Sequence, residues 1–286
     1  IIGRRALSGW RHLPVFFIFV VANCGGLLTP LGDPPLFLGY LRGVPFFWTF
    51  KLFPVWAFMV AALLTIFFIW DMIAYKKEAK KDLVQDIRQI SPIRLIGLIN
   101  LFFLCGVVGS VFLPTPWRES VMIVMTLLSL KTTPKRAHIH NNFSWGPILE
   151  VAILFAGIFV TMVPALMLLK QSGPEFGINQ PWQFFWLTGG LSSFLDNAPT
   201  YLTFLSLAQG LGLTPEVVGV TTKILMAISV GSVLMGANTY IGNGPNFMVK
   251  AIADHAGVKT PSFFGYMLYS VGILVPLYFL VQVMFF

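Results

Sequence analysis

Charged residues and cysteines are both scarce in this sequence. Only 10% of its 286 residues are charged and only 2 are cysteines, whereas 56% are hydrophobic and 15% are aromatic. Soluble globular domains carry about 25% charged residues, so this composition excludes a soluble globular domain. The apolar residues form runs of about 18–25, the length of membrane-crossing helices rather than of the alternating strands of a barrel. The sequence therefore predicts an all-α, multi-spanning membrane protein.

These scarcities also exclude several kinds of site. Cys24 and Cys105 lie in apolar segments without a partner pattern, so we expect neither a disulfide nor a resident metal. The net charge of +8 comes from basic residues between the apolar runs, where the positive-inside rule explains them. We therefore expect no nucleic-acid partner. No nucleophile, base and orienting group occur together, so the chain is not expected to be an enzyme.

The first long apolar run is interrupted by residues 23–35. This stretch contains three prolines, three glycines and the carboxylate of Asp33. Each proline removes an amide donor and clashes with the preceding turn, so the helix must break here. Freed backbone groups and a carboxylate are tolerated in a membrane only where protein or a wet cavity surrounds them. A mid-membrane aspartate costs about 2.5–3.5 kcal/mol on insertion scales, and we interpret Asp33 as functional.

The remaining apolar runs predict further helices, two of them interrupted. Residues 184–208 contain a break at 195–200, and a helix over 217–256 is interrupted at 236–246. If 184–208 is a re-entrant hairpin, 14 of the 19 lysines and arginines fall on the cytoplasmic side, which supports that threading. The other predicted segments are a broken helix over 13–39 and spans over 51–75, 94–113, 117–133, 145–169 and 262–286.

The broken helices over 13–39 and 217–256 resemble each other in sequence. Residues 29–37 align without gaps on 239–247, an offset of 239 − 29 = 210 that also maps Phe286 onto Lys76. The charge count gives the two regions opposite orientations, and inverted repeats with Gly/Pro-interrupted helices are typical of secondary transporters. We therefore predict that 1–76 ends the first repeat, 77–93 is a cytoplasmic basic connector and 94–286 is the second repeat.

The chain opens on Ile1 and shows no signal-peptide features. Residue 1 maps onto Leu211, so the repeat lacks a partner for 94–210. We expect roughly 115 further residues of the same protein ahead of Ile1.

Each break ends in prolines suited to a first helical turn, at Pro34, Pro199 and Pro245. Three helix N-termini with free amides would then face one cavity. Side-chain oxygens and unwound carbonyls in the breaks suit a sodium-like ion. Two carboxyl groups there could exchange a proton for a cation. The predicted binding residues are Asn23, Thr29, Gly32, Asp33, Asp196, Asn197, Thr200, Asn238, Thr239, Asn243 and Asn246.

Structural roles compete with these interpretations. Either aspartate could be a buried helix cap, and any of the asparagines could satisfy broken backbone instead of binding an ion. Glu150, near the start of its span, is a possible proton relay, although its side chain could equally extend to the interface.

At these residues the chain resembles the ion transporter superfamily that contains citrate transporters, arsenite pumps and D-type sodium/proton antiporters. The match is in Asn23-x-Gly-Gly-x-x-Thr-Pro-x-Gly-Asp33, in Asp196-Asn-x-Pro-Thr200, and in Gly236-x-Asn238 with Gly242-Asn243; residues 150–160 also look like the helix before the second hairpin. The resemblance implies inverted repeats with re-entrant hairpins and unwound helices, ion sites at their tips, elevator-like motion and often a homodimer. The run 242–246 is richer in Pro and Asn than the antiporter pattern.

The preferred function is sodium/proton antiport, because two acids at the breaks suit cation and proton exchange. The alternative is cation-coupled uptake of citrate or another carboxylate, with helix N-termini holding the anion and the acids holding the coupling cations. A third possibility is a membrane scaffold or receptor, for which neither aspartate would matter. Sodium ions and protons would be transported or coupling ions, and no bound cofactor is expected. We expect the lipid bilayer, in a bacterial inner membrane, to be the surroundings.

Overall fold

The structure, a computed structural model, describes residues 11–76, 97–140, 145–212, 216–255 and 257–286. Within these residues the regular secondary structure is helical, apart from an isolated bridge between Val217 and Val220. The all-α prediction is therefore confirmed for the described residues. The α-helices are α1 (His12–Phe17), α2 (Pro34–Leu41), α3 (Phe53–Lys76), α4 (Ile99–Ser110), α5 (Trp117–Thr132), α6 (Lys135–His140), α7 (Gly146–Ser172), α8 (Pro181–Ser192), α9 (Asn197–Gly210), α10 (Thr222–Met235), α11 (Gly244–His255) and α12 (Phe263–Phe285).

The chain divides into two compact units. One consists of Ile1–Gln89 with Ile158–Phe286, and the other of Ile90–Gly157. The smaller unit contains α4 and α5, which cross where Gly106 faces the Met125 sulfur. Within it Asn100 accepts hydrogen bonds from Ser129 and Thr133. The predicted connector 77–93 lies outside the described residues.

The larger unit is built around the close pairing of α8 with α10. A Cβ atom at Gly231 would lie 2.6 Å from the carbonyl oxygen of Phe185, and one at Gly189 would collide with Met235. Glycine at both positions therefore lets the two helices approach backbone to backbone. Helix α9 packs on α2 in the same unit, where Tyr201 lies against Gly39.

The α-helical conformation is interrupted after α1. A π-helical turn (Ile18–Asn23) and a 3-10 turn (Cys24–Leu28) follow α1, and helical structure resumes only at Pro34. Gly26 and Gly32 touch across the turn, because a Cβ at Gly32 would lie 2.7 Å from the Gly26 Cα. The chain therefore folds back on itself at this interruption, and a side chain at either glycine would prevent the close contact.

A second interruption separates α10 from α11. A 3-10 turn (Gly236–Asn238) ends α10, and residues 239–243 connect it to α11. The predicted start of this broken helix at 217 is wrong, because α10 begins at Thr222. Thr221 caps that start through its side chain, and the preceding turn holds Val218 and Gly219 at positive φ angles of 45° and 85°, which a helix excludes.

Two helical segments among the described residues are long and apolar enough to cross a membrane, Phe46–Lys76 and Phe263–Phe285. The first consists of a 3-10 turn (Phe46–Leu52) leading into α3. The apolar segments His12–Leu28, Ile99–Ser110 and Thr222–Asn238 are shorter. The span predicted at 94–113 is thus a helix of 12 residues in the structure. The segment 184–208 forms two helices, α8 and α9, with a turn between them at 193–196.

Candidate ion-binding site

Asp33 lies at the N-cap position of α2 and is only 3% exposed. Its backbone is extended, yet its carboxylate makes no capping hydrogen bond with the helix. Proline accounts for part of this, since Pro35 at the second helical position has no amide hydrogen and so removes one of the two usual capping donors. The helix-cap interpretation therefore does not hold for Asp33, and its carboxylate takes partners from elsewhere in the fold.

Two asparagine amides hold the Asp33 carboxylate, one at each oxygen. Asn197 donates from Nδ2 to Oδ2 at 2.8 Å, and Asn243 donates from Nδ2 to Oδ1 at 3.3 Å. Asn197 is the first residue of α9, and Asn243 directly precedes α11. The starts of α2, α9 and α11 therefore meet at one carboxylate, where the positive ends of three helices favour negative charge.

Neutral groups alone hydrogen-bond Asp33 among the described residues. The ion pairs found there are His12 with Asp71, Arg118 with Glu119 and Lys250 with Asp254, and none includes Asp33. A buried carboxylate without a cationic partner is costly. Such a group is suited to take up a cation or a proton.

Asp196 has a structural role that Asp33 lacks. Its Oδ1 accepts a hydrogen bond from the backbone amide of Ala198 at 3.0 Å, which caps α9. It is half-buried and interacts electrostatically with Asp33. Thr200, also predicted as a ligand, donates its hydroxyl proton to the Asp196 carbonyl oxygen at 2.9 Å. Both side chains thus stabilise the first turn of α9.

Two of the predicted asparagines satisfy the backbone freed by the breaks. Asn246 donates to the carbonyl oxygens of Gly236 and Thr239 at 2.8 and 2.9 Å. Asn23 donates to the carbonyl oxygen of Ile18 and to the Asn246 side chain, both at 2.8 Å. These bonds connect the first interruption to the second.

Two buried side-chain oxygens near the breaks lack a hydrogen-bond partner among the described residues. They are Oδ1 of Asn197, whose Nδ2 bonds Asp33, and Oδ1 of Asn238, whose Nδ2 donates to Ser193 at 2.8 Å. Amide oxygens are good ligands for hard cations. Of the two, Asn197 contacts Asp33, so its oxygen and the Asp33 carboxylate could together hold a sodium-like ion.

The other predicted residues lie in the same breaks with local roles. Thr29 is half-buried, and its carbonyl oxygen accepts from the Gly32 amide at 3.0 Å. Thr239 donates to the Ser193 carbonyl oxygen and accepts from the Gly242 amide. It thereby ties the second interruption to the end of α8. Glu150 lies on α7, but its side chain is outside those described.

Hydroxyl groups that the sequence analysis did not identify also support the second interruption. On α12, Tyr266 donates to the Ala237 carbonyl oxygen, Ser270 to that of Asn238 and Tyr278 to that of Leu234, at 2.6 to 2.7 Å. The spacing of 266, 270 and 278 places all three on one helix face. Hydroxyl residues repeated at helical spacing within an apolar segment can be recognised in the sequence alone.

Close backbone contacts fix the second interruption against α8. A Cβ atom at Gly242 would lie 2.6 Å from the Gly236 carbonyl oxygen and 2.7 Å from that of Ser192. Real Cβ atoms do not approach oxygen so closely, so only glycine fits here.

Comparison with known proteins gives a family match over almost the whole chain. A family model described as "Putative citrate transport" matches residues 5–286. Among curated proteins, the P protein of Mus musculus is 25% identical over 172 residues, which are 56% of this chain and 20% of that protein. This chain therefore spans about a fifth of the length of that relative. No solved structure matches.

Proposed function

This chain belongs to the citrate-transport family, and from that membership we propose that it moves citrate or a similar carboxylate across a membrane, coupled to a cation that binds at Asp33. It is an integral membrane protein, as the family and the apolar helices imply. The proposal assigns the carboxylate substrate from the family and the coupling site from the geometry.

The main evidence for the coupling site is the environment of Asp33. Its carboxylate is buried, is held by two neutral amides and faces the positive ends of three helices. Until a cation binds there, the negative charge of Asp33 and of the nearby Asp196 repels an anionic substrate. A bound cation offsets the charge of Asp33 and reduces that repulsion, which is how cation binding would precede binding of a carboxylate.

An internal repeat, whose two copies we propose to be inverted in the membrane, is supported by the helix boundaries. In the first copy helices begin at 12, 34 and 53, and the helical turn before the break ends at 28. In the second copy helices begin at 222, 244 and 263, and the corresponding turn ends at 238. The differences 222 − 12, 238 − 28, 244 − 34 and 263 − 53 are each 210. The glycine contact between 26 and 32 recurs between 236 and 242 at the same offset. Inverted repeats of interrupted helices place a binding site at the repeat interface.

We also propose that α8 and α9 form a re-entrant hairpin. They have 12 and 14 residues, or about 18 and 21 Å at 1.5 Å per residue, whereas the hydrocarbon core is about 30 Å thick. The turn between them leads directly to Asn197, which bonds Asp33. A hairpin that enters and returns on one side would place that turn inside the membrane.

Sodium/proton antiport is the second candidate. It is favoured by the absence of a basic partner for Asp33 in the described ion pairs and by the proximity of a second acid. A carboxyl group that binds either a proton or a cation is sufficient for exchange.

Transport by the complete protein in vesicles distinguishes the two candidates. We expect labelled citrate to accumulate when a sodium gradient is imposed and not when choline replaces sodium. Asp33→Asn should abolish the sodium dependence. Proton flux driven by sodium in the absence of citrate, without citrate uptake, would overturn the citrate assignment in favour of antiport. Neither flux, with protein correctly inserted, would contradict both.

A further inference from the structure

Three asparagine side chains form a chain of hydrogen bonds that leads from the second interruption to Asp33. It starts at Asn246, whose Nδ2 donates to the backbone carbonyl oxygens of Gly236 and Thr239. Backbone carbonyls only accept, so the orientation of the Asn246 amide is fixed. Its Oδ1 must therefore face a donor.

That donor is Asn23. Its Nδ2 bonds Oδ1 of Asn246 and the Ile18 carbonyl oxygen, both at 2.8 Å. This leaves Oδ1 of Asn23 pointing at Asn243, whose Nδ2 donates to it at 3.1 Å and to Oδ1 of Asp33 at 3.3 Å. Reversing any one of these amides would place donor against donor or oxygen against oxygen. Asn23 therefore holds the Asn243 amide in the orientation that Asp33 and the Ala22 carbonyl oxygen, 3.5 Å from Nδ2, also require.

The amide oxygens of Asn23 and Asn246 are both engaged within the protein, because Oδ1 of Asn246 accepts from Asn23 and Oδ1 of Asn23 accepts from Asn243. Each side chain uses both of its N–H groups within the protein, and each is fully buried. By contrast, Nδ2 of Asn243 donates to the Asp33 carboxylate itself. The three asparagines thus differ in what they could offer an ion.

We propose that Asn23 and Asn246 are positioning residues that do not touch the transported ion but hold Asn243 in the orientation that donates to Asp33. The inference rests on the proposed function in taking Asp33 as the cation site. It replaces the sequence-based expectation that all three asparagines are ligands. Asn243 keeps its amide nitrogen on the carboxylate to which the cation would bind.

The proposal predicts that changes at Asn23 act only through Asn243. Asn243→Ala removes the hydrogen bond to Asp33 directly, and Asn23→Ala weakens it by removing an acceptor that holds the Asn243 amide in place. Once Asn243 is alanine, Asn23→Ala has nothing left to affect at Asp33. Interacting groups in one network give such non-additive effects, whereas independent ligands give additive ones.

Infrared difference spectra of the complete protein in vesicles test this without depending on transport. The carboxylate band of Asp33 is identified by its loss in Asp33→Asn. We expect Asn23→Ala and Asn243→Ala to shift that band in the same direction, and the double variant to show the shift of Asn243→Ala alone. Asn100→Ala is the matched control, because Asn100 also holds two neighbours but lies in the other compact unit.

An unchanged Asp33 band in Asn23→Ala, or a double variant whose shift is the sum of the single shifts, would overturn the proposal. Should Asn23→Ala fail to insert, Asn246→Ser tests the same chain from its other end with the same expected shift. In transport assays the apparent cation affinity should fall about tenfold in either single variant, the worth of one hydrogen bond to a charged group, and no further in the double variant. Absence of cation-dependent transport in the wild type would refute the proposed function, while the infrared result would still decide the positioning role.

Discussion

Asp33 and Asp196 occupy similar places in the sequence, each just before a helix that contains proline near its start. The structure gives them different roles. At the second helical position Pro35 offers Asp33 no amide hydrogen, whereas Ala198 offers one to Asp196. The difference depends on proline at the second helical position, which the sequence contains. What it does not contain is the identity of the partners that Asp33 takes instead, because those come from residues more than 160 positions away.

At Asp33 we predict that replacing the carboxylate by an amide removes cation dependence. Asp33→Asn keeps the size of the side chain but loses the charge that a cation requires, so cation-dependent transport should fall about tenfold or more. Asp196→Asn is the matched control and should retain most activity. Initial rates in vesicles measure both, and a larger loss in Asp196→Asn would contradict the assignment of the cation to Asp33.

At Asp196 we predict an effect on stability. Asp196→Ala should lower the free energy of unfolding by about 1 kcal/mol because α9 loses its N-cap, while Asp196→Asn should change it by much less, since asparagine caps as well as aspartate. Thermal unfolding in detergent measures the difference. Equal destabilisation by both substitutions would show that the charge, not the cap, stabilises α9.

Among the structural elements, the interruptions were the most predictable. Clusters of proline and glycine predicted breaks in the first and last broken helices, and the structure has an interruption in each region. The start of α10 was not predictable from hydropathy, because apolar residues continue from 217 to 220 through a turn with positive φ angles. The π-helical turn at Ile18–Asn23 likewise has no proline or glycine to mark it.

Backbone contact at the second interruption gives a prediction about Gly242. Gly242→Ala would force its Cβ against the carbonyl oxygens of Gly236 and Ser192. The overpacking should lower the free energy of unfolding by about 1–3 kcal/mol, and the transport rate should fall as well. Gly244→Ala is the control from the same segment, since nothing lies within 4 Å of a Cβ there. Stability and transport of the two variants are compared directly, and equal behaviour would contradict the close contact.

The hydroxyl groups of α12 give a further prediction for this element. Tyr266→Phe leaves the buried Ala237 carbonyl oxygen without its donor and should lower the free energy of unfolding by about 1–3 kcal/mol. Tyr269→Phe, on the same helix and half-buried, should have a smaller effect. Thermal unfolding measures both, and the opposite order would show that the Tyr266 hydroxyl does not support the break.

For the whole molecule, the repeat inferred from nine aligned residues predicts which side chains are related, and the structure brings one such pair into contact. Asp33 and Asn243, which are 210 positions apart, hydrogen-bond each other. The sequence could not reveal that the contact is direct, because an offset defines correspondence and not distance. Nor could it distinguish amides that bind Asp33 from those that satisfy freed carbonyls, since both kinds are asparagines in the same short segments.

The contact between repeat-related positions suggests an exchange experiment. Combining Asp33→Asn with Asn243→Asp keeps one carboxylate and one amide at the same pair and reverses the hydrogen bond. If the two positions are equivalent by symmetry, the double variant should recover part of the cation-dependent transport lost in Asp33→Asn. Rates in vesicles measure the recovery, and a double variant as inactive as Asp33→Asn would argue against that equivalence.

The central claim, that a cation binds at Asp33, is tested most directly by the thermal unfolding of the complete protein across a series of cations. A ligand present at about 100 times its Kd stabilises the folded state by about 2.7 kcal/mol. We predict that sodium raises the Tm of the wild type and of Asp196→Asn in a concentration-dependent way, that choline does not, and that Asp33→Asn shows no sodium effect. Equal stabilisation of Asp33→Asn and the wild type by sodium would contradict the claim.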